Sequence, residues 1–277
     1  MTERRAGPGL FVSDVDGTLV TPDKALTPAV IAAAADLHAA GVPFTLVSSR
    51  PPRGMAAAIA ATGVTLPFAA FNGGSLVGPD FQLIEAHRLS AEAAAGTLAL
   101  LDAQGIEAFV FADDLWLLRD PNGAKVGRER NTVGFDPTVV AGFDAVIDRI
   151  DKIVGVSDDP VPLDVAETLL RAALGGSANI ERSQPYYLDI THPRANKGDA
   201  VRTLAGRLGY ALADTVVLGD MTNDIAMFRV AGFAIAMGQA PPSVKAATQA
   251  VTLANTEDGW AEAVRTLVLP RLATAKA

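Results

Sequence analysis

The chain has 277 residues, with 23 lysines and arginines against 31 aspartates and glutamates, a formal charge of −8 at pH 7. At 49% apolar and 19% charged it can bury a sizeable core, which excludes low-hydropathy disorder, and it has no basic surplus to neutralise a nucleic acid. Cysteine is absent and histidine occurs only at His38, His87 and His192, which removes disulfides, thiolate metal sites and cysteine nucleophiles, argues against a histidine triad, and leaves carboxylates and lysines to carry any chemistry.

Leu10-Phe11-Val12 is a short apolar run that delivers Ser13-Asp14-Val15-Asp16-Gly17-Thr18, the pattern of a buried strand with two carboxylates at its C-terminal end. Thr27-Pro28 predicts an N-cap with proline in the first turn of a helix running to Ala40. A second strand, Val42 to Val47, ends at Ser48-Ser49-Arg50; a helix follows over Pro52 to Ala61, and a third strand ends at Phe71-Asn72-Gly73-Gly74. Alternating strands and helices, with polar residues where each strand stops, predict a parallel α/β sheet.

The middle reads differently. Strands are predicted at Glu107–Ala112, Leu115–Leu118, Lys152–Ser157, Ala178–Arg182 and Tyr186–Ile190, with helices at Ser90–Gln104 and Leu163–Leu174. Asp113-Asp114 and Ser183-Gln184-Pro185 read as hairpin turns. This indicates an inserted α+β domain over residues 86–190, with residues 1–85 and 191–277 as the discontinuous core. The α/β rhythm resumes with a helix at Asp199–Leu208, a strand at Thr215–Leu218 ending at Gly219-Asp220, a helix through Met227, a strand at Phe233–Ala236 and a last helix over Gly259–Leu269. No run approaches the roughly 18–20 apolar residues of a membrane span, and Asp14 and Asp16 break the apolar stretch after Arg4-Arg5. Neither a membrane span nor a signal peptide is expected, and a cytoplasmic location is.

Asp14 and Asp16 stand at i and i+2 on a strand, so they point the same way and repel unless a cation lies beside them; an isolated pair is otherwise a solvated turn. A second acidic cluster, Gly219-Asp220-Met221-Thr222-Asn223-Asp224, also ends a strand, where open α/β sheets form their ligand crevice. Hard oxygen donors without sulfur or imidazole favour Mg²⁺, although Asn223 and Asp224 also read as helix caps. Ser48-Ser49 suits either a phosphate or a cap. Lys197 opens a helix, where a cation opposes the dipole unless it serves something else.

Taken in order, acid pair, serine, lysine and acid pair resemble the four motifs of the haloacid dehalogenase-like phosphatases: Asp14-Val15-Asp16-Gly17-Thr18, Ser48, Lys197 and Gly219-Asp220-Met221-Thr222-Asn223-Asp224. Ser49-Arg50-Pro51-Pro52-Arg53-Gly54-Met55, Phe71-Asn72-Gly73-Gly74, Ala231 to Gly238 and Asn255-Thr256-Glu257-Asp258-Gly259 narrow the resemblance to the Cof-like subgroup with a large type-IIB-like cap. Ser48-Ser49-Arg50 stands where that subgroup usually has Thr-Gly-Arg, and Trp260 where a small aliphatic residue is usual.

The resemblance implies a Rossmann-like three-layer core plus an inserted cap, and a Mg²⁺-dependent phosphatase acting on a small phosphorylated metabolite. It implies Asp14 as nucleophile and Asp16 as general acid and base. It gives the metal to Asp14, the Asp16 carbonyl and Asp220, with Asp224 behind them, and the phosphate to Ser48, Lys197, Asn223 and the backbone of Val15 and Ser49. Arg53 and Asn72 are candidates for substrate contact. In the cap, His87, Arg119, Arg128, Arg130 and Trp116 are candidates for facing the substrate. Rival readings are a sugar-phosphate mutase of the same superfamily and a phospho-accepting signalling protein. No nucleic acid or membrane partner is expected, and the chain is read as a monomer or homodimer.

Overall fold

The structure is a computed structural model and describes residues 9–272; Arg4 and Arg5 lie outside the described residues. Strand β1 (Leu10–Ser13) occupies the interior of a five-stranded parallel sheet with β2 (Phe44–Leu46) on one side and β12 (Thr215–Gly219) on the other. Beyond β12 lie β13 (Phe233–Ala236) and β14 (Ala250–Val251). Every residue of β1, β2 and β12 is buried, as a parallel sheet covered on both faces requires.

Alternation along β1 divides the covering layers. Phe11 faces α1 (Pro28–Ala39), α2 (Ala56–Thr62) and α9 (Gly259–Ala263), whose Val30, Leu37, Ile59 and Trp260 share its cluster. Leu10 and Val12 face α6 (Lys197–Leu208), α7 (Ile225–Phe228) and α8 (Pro242–Lys245) through Val201, Leu204, Met227 and Val244. The result is the expected three-layer core. Thr27 does cap α1, its hydroxyl accepting from the Val30 amide at 3.2 Å. The last helix differs from its sequence reading: it passes through a π turn at Val264–Val268 before ending with Leu269–Leu272.

Strand β3 (Phe68–Ala70) touches the main sheet through the Val47–Ala69 bridge and starts an antiparallel ribbon with β4 (Ser75–Val77) and β5 (Leu83–Ala86). Strands β4 and β5 carry no sequence signal, being short and, in β5, half-exposed.

The inserted cap is a six-stranded sheet. Its order is β10 (Asn179–Gln184), β11 (Tyr187–Thr191), β9 (Ile150–Val156), β6 (Glu107–Ala112), β7 (Leu115–Leu118), β8 (Thr138–Val139). All pairs are antiparallel except β7 with β8. Helices α3 (Ala91–Ala103) and α5 (Pro160–Leu174) cover one face through Leu98, Leu101, Leu163 and Leu170. The other face carries Phe109, Phe111, Val154 and Val156 toward the core, with α4 (Val126–Val133) tucked against the segment after β2. A Cβ on Gly54 would stand 3.2 Å from the Val133 carbonyl oxygen, so the approach there is close.

Candidate active site

Strands β1, β2 and β12 end at the same edge of the sheet, and their terminal residues meet beneath the cap. Asp14 follows β1 directly, its amide donating to the Leu218 carbonyl at 2.9 Å. Its carboxylate is buried: Oδ1 accepts from Lys197 Nζ at 2.6 Å and Oδ2 from Thr18 Oγ1 at 3.2 Å. Lys197 is itself buried at the first turn of α6, where Asn196 is the cap, its Oδ1 accepting from the Asp199 amide at 2.8 Å. The ammonium also donates to Asp224 Oδ1 at 2.6 Å. Burial alone would push this lysine down, but Asp14 and Asp224 more than offset it and keep it protonated.

Asp224 is fully buried and divides its carboxylate between backbone and side chain. Its Oδ2 accepts from the amides of Asp220 (2.8 Å) and Met221 (2.9 Å), and its Oδ1 holds Lys197. Asp220 has weaker partners, Thr18 Oγ1 at 3.5 Å and Gln239 Nε2 at 3.3 Å. Carboxylate oxygens of Asp14, Asp220 and Asp224 lie within 4.8 Å of one another. Burial first, and then the neighbouring carboxylates, push Asp14 up to about 7 and Asp220 to about 8, with Lys197 pulling the other way. Three buried carboxyls against one ammonium cannot all ionise without a further cation, and a hard divalent cation fits that donor set. Gly17 makes the cluster possible: its φ is +80°, and a Cβ there would stand 2.2 Å from Asp220 Oδ2.

Asp16 is held differently. Arg50 grips it with Nε on Oδ2 at 2.6 Å and Nη2 on Oδ1 at 2.7 Å, and Lys24 Nζ reaches Oδ1 at 2.7 Å. Burial works to raise this carboxyl, but the two cations outweigh it and hold it down at about 2. The loop after β2 supplies Ser48, buried, with its Oγ accepting from the Arg50 amide at 3.2 Å, and Ser49, which lines the cavity. Asn72 donates its amide to the Ser48 carbonyl at 2.8 Å and accepts from Asn223 Nδ2 at 3.3 Å. The Asn223 Oδ1 is buried without a partner. Val15 is buried, its carbonyl accepting from the Leu19 amide at 2.9 Å.

Asp14, Asp16, Lys24, Ser49, Arg50, Lys197, Asp220 and Asn223 line a cavity of about 90 Å³ whose roof is the cap, whereas Val15, Ser48, Asn72 and Asp224 do not reach its wall. Arg128, Glu129, Lys152, Gln184, Tyr186 and Tyr187 line that roof. Of the cap residues singled out from sequence, only Arg128 does so. Trp116 is instead fully buried beside Phe109, with ring centroids 5.2 Å apart. Arg119 and Arg130 pair with Asp102 (2.7 Å) and Asp136 (2.6 Å), and His87 stacks on His192 with ring centroids 5.3 Å apart. Arg53 does not reach the cavity; its guanidinium lies 4.4 Å from the centroid of the Phe135 ring.

Lys24, Gln239, Glu129 and Lys152 have no sequence signal, since nothing local distinguishes them from polar surface residues. Arg50 had a signal, its place directly after the Ser48-Ser49 strand end. Trp260 acquires a structural reason, because its indole donates to Ser13 Oγ at 2.9 Å and Ser13 Oγ donates to the Asp14 carbonyl at 2.6 Å.

Comparison with known proteins agrees with this geometry. The profile of a family described as haloacid dehalogenase-like hydrolase matches residues 11–264. The HMP-PP phosphatase of Cronobacter sakazakii is 28% identical over 233 residues, covering 84% of this chain and 85% of that protein. The pyridoxal phosphate phosphatase YbhA of Escherichia coli is 27% identical over 261 residues, covering 90% and 94%. A crystal structure of a haloacid dehalogenase-like hydrolase from Bacteroides thetaiotaomicron shares the fold with a TM-score of 0.85 at 24% identity, over 93% of this chain and 98% of that one.

Proposed function

The chain belongs to the haloacid dehalogenase-like hydrolase family, and from that membership and the geometry of its site we propose that it is a Mg²⁺-dependent phosphatase that hydrolyses small phosphate monoesters through an aspartyl-phosphate on Asp14. The observation that carries the reading is the Asp14 carboxylate, buried at the end of β1 and held 2.6 Å from the Lys197 ammonium beside Asp220 and Asp224. Relatives named for pyridoxal phosphate and HMP-PP support a sugar or cofactor phosphate as substrate. We take residues 86–190 as the cap and residues 1–85 and 191–277 as the core.

Asp14, Asp220 and the Asp16 carbonyl would hold the Mg²⁺, which when bound supplies positive charge between the nucleophile and its anionic substrate. Asp14 attacks phosphorus, forming the acyl–phosphate bond as the bond to the leaving oxygen breaks. Lys197, Asn223, Ser48 and the amides of Val15 and Ser49 bind the phosphoryl oxygens, which matches a reaction that needs chiefly positioning and charge neutralisation. Asp16, held ionised by Arg50 and Lys24, takes the proton of the water that cleaves the acyl-phosphate once those ion pairs loosen and its basicity rises. Its earlier turn, protonating the leaving oxygen, needs that grip loosened as the substrate arrives. Asp224 keeps Lys197 in place throughout.

Steady-state phosphate release from p-nitrophenyl phosphate tests the reading. Many turnovers with Mg²⁺, silenced by EDTA and absent in a folded Asp14→Asn variant, are the expected outcome. One equivalent of p-nitrophenolate released without phosphate, followed by arrest, would make the chain a phospho-accepting switch. Sustained turnover by Asp14→Asn, or full activity without divalent metal, would overturn the nucleophile or the metal respectively.

A further inference from the structure

Among the described residues four carboxyls line the catalytic cavity, and three of them already have a place in the site. Asp14 and Asp220 belong to the buried acidic cluster, and Asp16 is gripped by Arg50 and Lys24. The fourth, Glu129, is the only acidic residue that the cap brings to the wall. It is 8% exposed and lies on the buried stripe of α4 between Val126 and Val133, where i, i+3 and i+7 spacing calls for an apolar side chain. The close approach of Val133 to Gly54 docks α4 on the core and holds Glu129 over the catalytic loops.

The cations around Glu129 are committed elsewhere. Within the cap it is faced by Lys152 of β9, by Asp189 and Tyr187 of β11 and by Tyr186 in the turn before β11; Asp16 and Arg50 face it from the core. Lys152 is engaged by Asp189 at 2.6 Å and Arg50 by Asp16 at 2.6 Å, and among the described residues Glu129 forms no ion pair of its own. Burial is the largest influence on its carboxyl and pushes it up; Lys152 and Tyr187 work against this, and Asp189 and Asp16 add to it. Glu129 therefore keeps its proton to a higher pH than an ordinary glutamate, whereas Asp16 is held down at about 2.

The difference bears on the first half of the reaction. In an in-line displacement the leaving oxygen departs from the face of phosphorus opposite the attacking carboxylate. With Asp14 beneath and the cap above, that face is turned to the roof. An alkoxide departing there needs a proton. Asp16 has none to give until two cations release it, and Glu129 already holds one.

Resting on the phosphatase reading, we propose that Glu129 is a further catalytic residue, the general acid that protonates the leaving oxygen, which relieves Asp16 of that turn and leaves it as the base of the second half. As the bond from phosphorus to the leaving oxygen breaks, its electron pair stays on that oxygen and takes the Glu129 proton. A neutral alcohol departs and Glu129 is left as a carboxylate. The water that cleaves the acyl-phosphate gives one proton to Asp16 and keeps the other on the released phosphate. Transfer of the proton from Asp16 to Glu129 across the cavity restores both groups.

The test is leaving-group release in a single turnover, with the full chain in excess and Mg²⁺ present, on two substrates. One is p-nitrophenyl phosphate, whose nitrophenolate departs without a proton; the other is whichever of a panel of sugar and polyol phosphates wild type cleaves fastest, whose alkoxide does not. Glu129→Gln keeps the shape of the side chain and has no carboxyl proton to give. It is expected to slow release from the alkyl ester by about a hundredfold or more, with a loss at least about tenfold smaller for nitrophenolate. The wild-type alkyl rate falls as the pH rises through the titration of Glu129; Glu129→Gln loses that fall and Glu129→Asp recovers part of both rate and pH dependence. Equal losses on the two substrates would mean that Glu129 only shapes the roof, and would overturn the proposal. So would alkyl release at the wild-type rate in Glu129→Gln, or a wild type that cleaves p-nitrophenyl phosphate and no alkyl ester. A wild type that turns over neither substrate would instead sink the phosphatase reading, and this proposal with it.

Discussion

At the scale of single residues, the site is a problem in placing charge. Asp14, Asp220 and Asp224 are buried together and are compensated by one ammonium. Removing Lys197 would leave these carboxylates without a cationic partner, a change that typically costs about 3–5 kcal/mol. Burial acts as plainly on Asp151, far from this cluster in the fold. Burial raises its carboxyl from 3.8 to about 6, with Arg88 pulling only partly the other way. Between those values the folded chain holds a proton that the unfolded chain has lost, so stability falls as the pH rises through this window. Urea unfolding of wild type and Asp151→Asn at pH 4 and pH 7 should show it. The variant gains on wild type by about 1–3 kcal/mol between the two pH values. Parallel pH dependences would show that Asp151 does not carry the shift.

At the scale of elements, the site depends on loops whose backbone is forced into shape. Phe71, Asn72 and Gly73 have φ values of +50°, +57° and +99°, three left-handed residues in succession. This bend lets the Asn72 amide reach the Ser48 carbonyl, fixing the loop after β2. A Cβ on Gly73 would meet the Ala200 Cβ at 2.8 Å and the Asn196 carbonyl oxygen at 2.9 Å, at the turn that presents Lys197. Gly73→Ala is therefore expected to cost about 1–3 kcal/mol in denaturant unfolding and to lower kcat, because the strain falls on both loops that we propose to hold the phosphate. An unchanged midpoint and rate would show that the bend is not needed.

The elements that carry chemistry were largely legible in the sequence. Strands β1 and β12 are unbroken apolar runs, and the acids stop them abruptly. The hairpin turn at Asp113-Asp114 could be read for a related reason, since both residues adopt positive φ, which aspartate tolerates. Strands β4, β5, β8 and β14 carry two to four residues each, too short for a periodicity to form. Partnerships across the chain were equally hidden. Arg50 meets Asp16 34 positions away, and Lys152 meets Asp189 at 2.6 Å, because the fold brings them together and no local pattern marks them.

At the scale of the whole molecule, a net charge of −8 coexists with a pocket that we propose receives an anion. Local cations decide the sign there, with Lys24, Arg50, Arg128, Lys152 and Lys197 all lining a cavity of about 90 Å³. Bulk charge and the cap together restrict what can enter. A 5′-phosphorylated oligonucleotide or a phosphopeptide should show a kcat/KM at least about a hundredfold below that of a small sugar or cofactor phosphate. Comparable values would mean that the cap does not close over the site as described. No helix among the described residues is long and apolar enough to cross a membrane. The strand ends of the five-stranded sheet and the buried lysine converge beneath the cap on one oxygen atom pair, the carboxylate of Asp14. Borohydride quenching during turnover, followed by peptide mass mapping, reads that carboxylate directly, since reduction of an acyl-phosphate converts aspartate to homoserine. Homoserine at position 14, dependent on substrate and absent from untreated enzyme, is the result expected. Sustained turnover with residue 14 intact and homoserine at another aspartate would contradict the account.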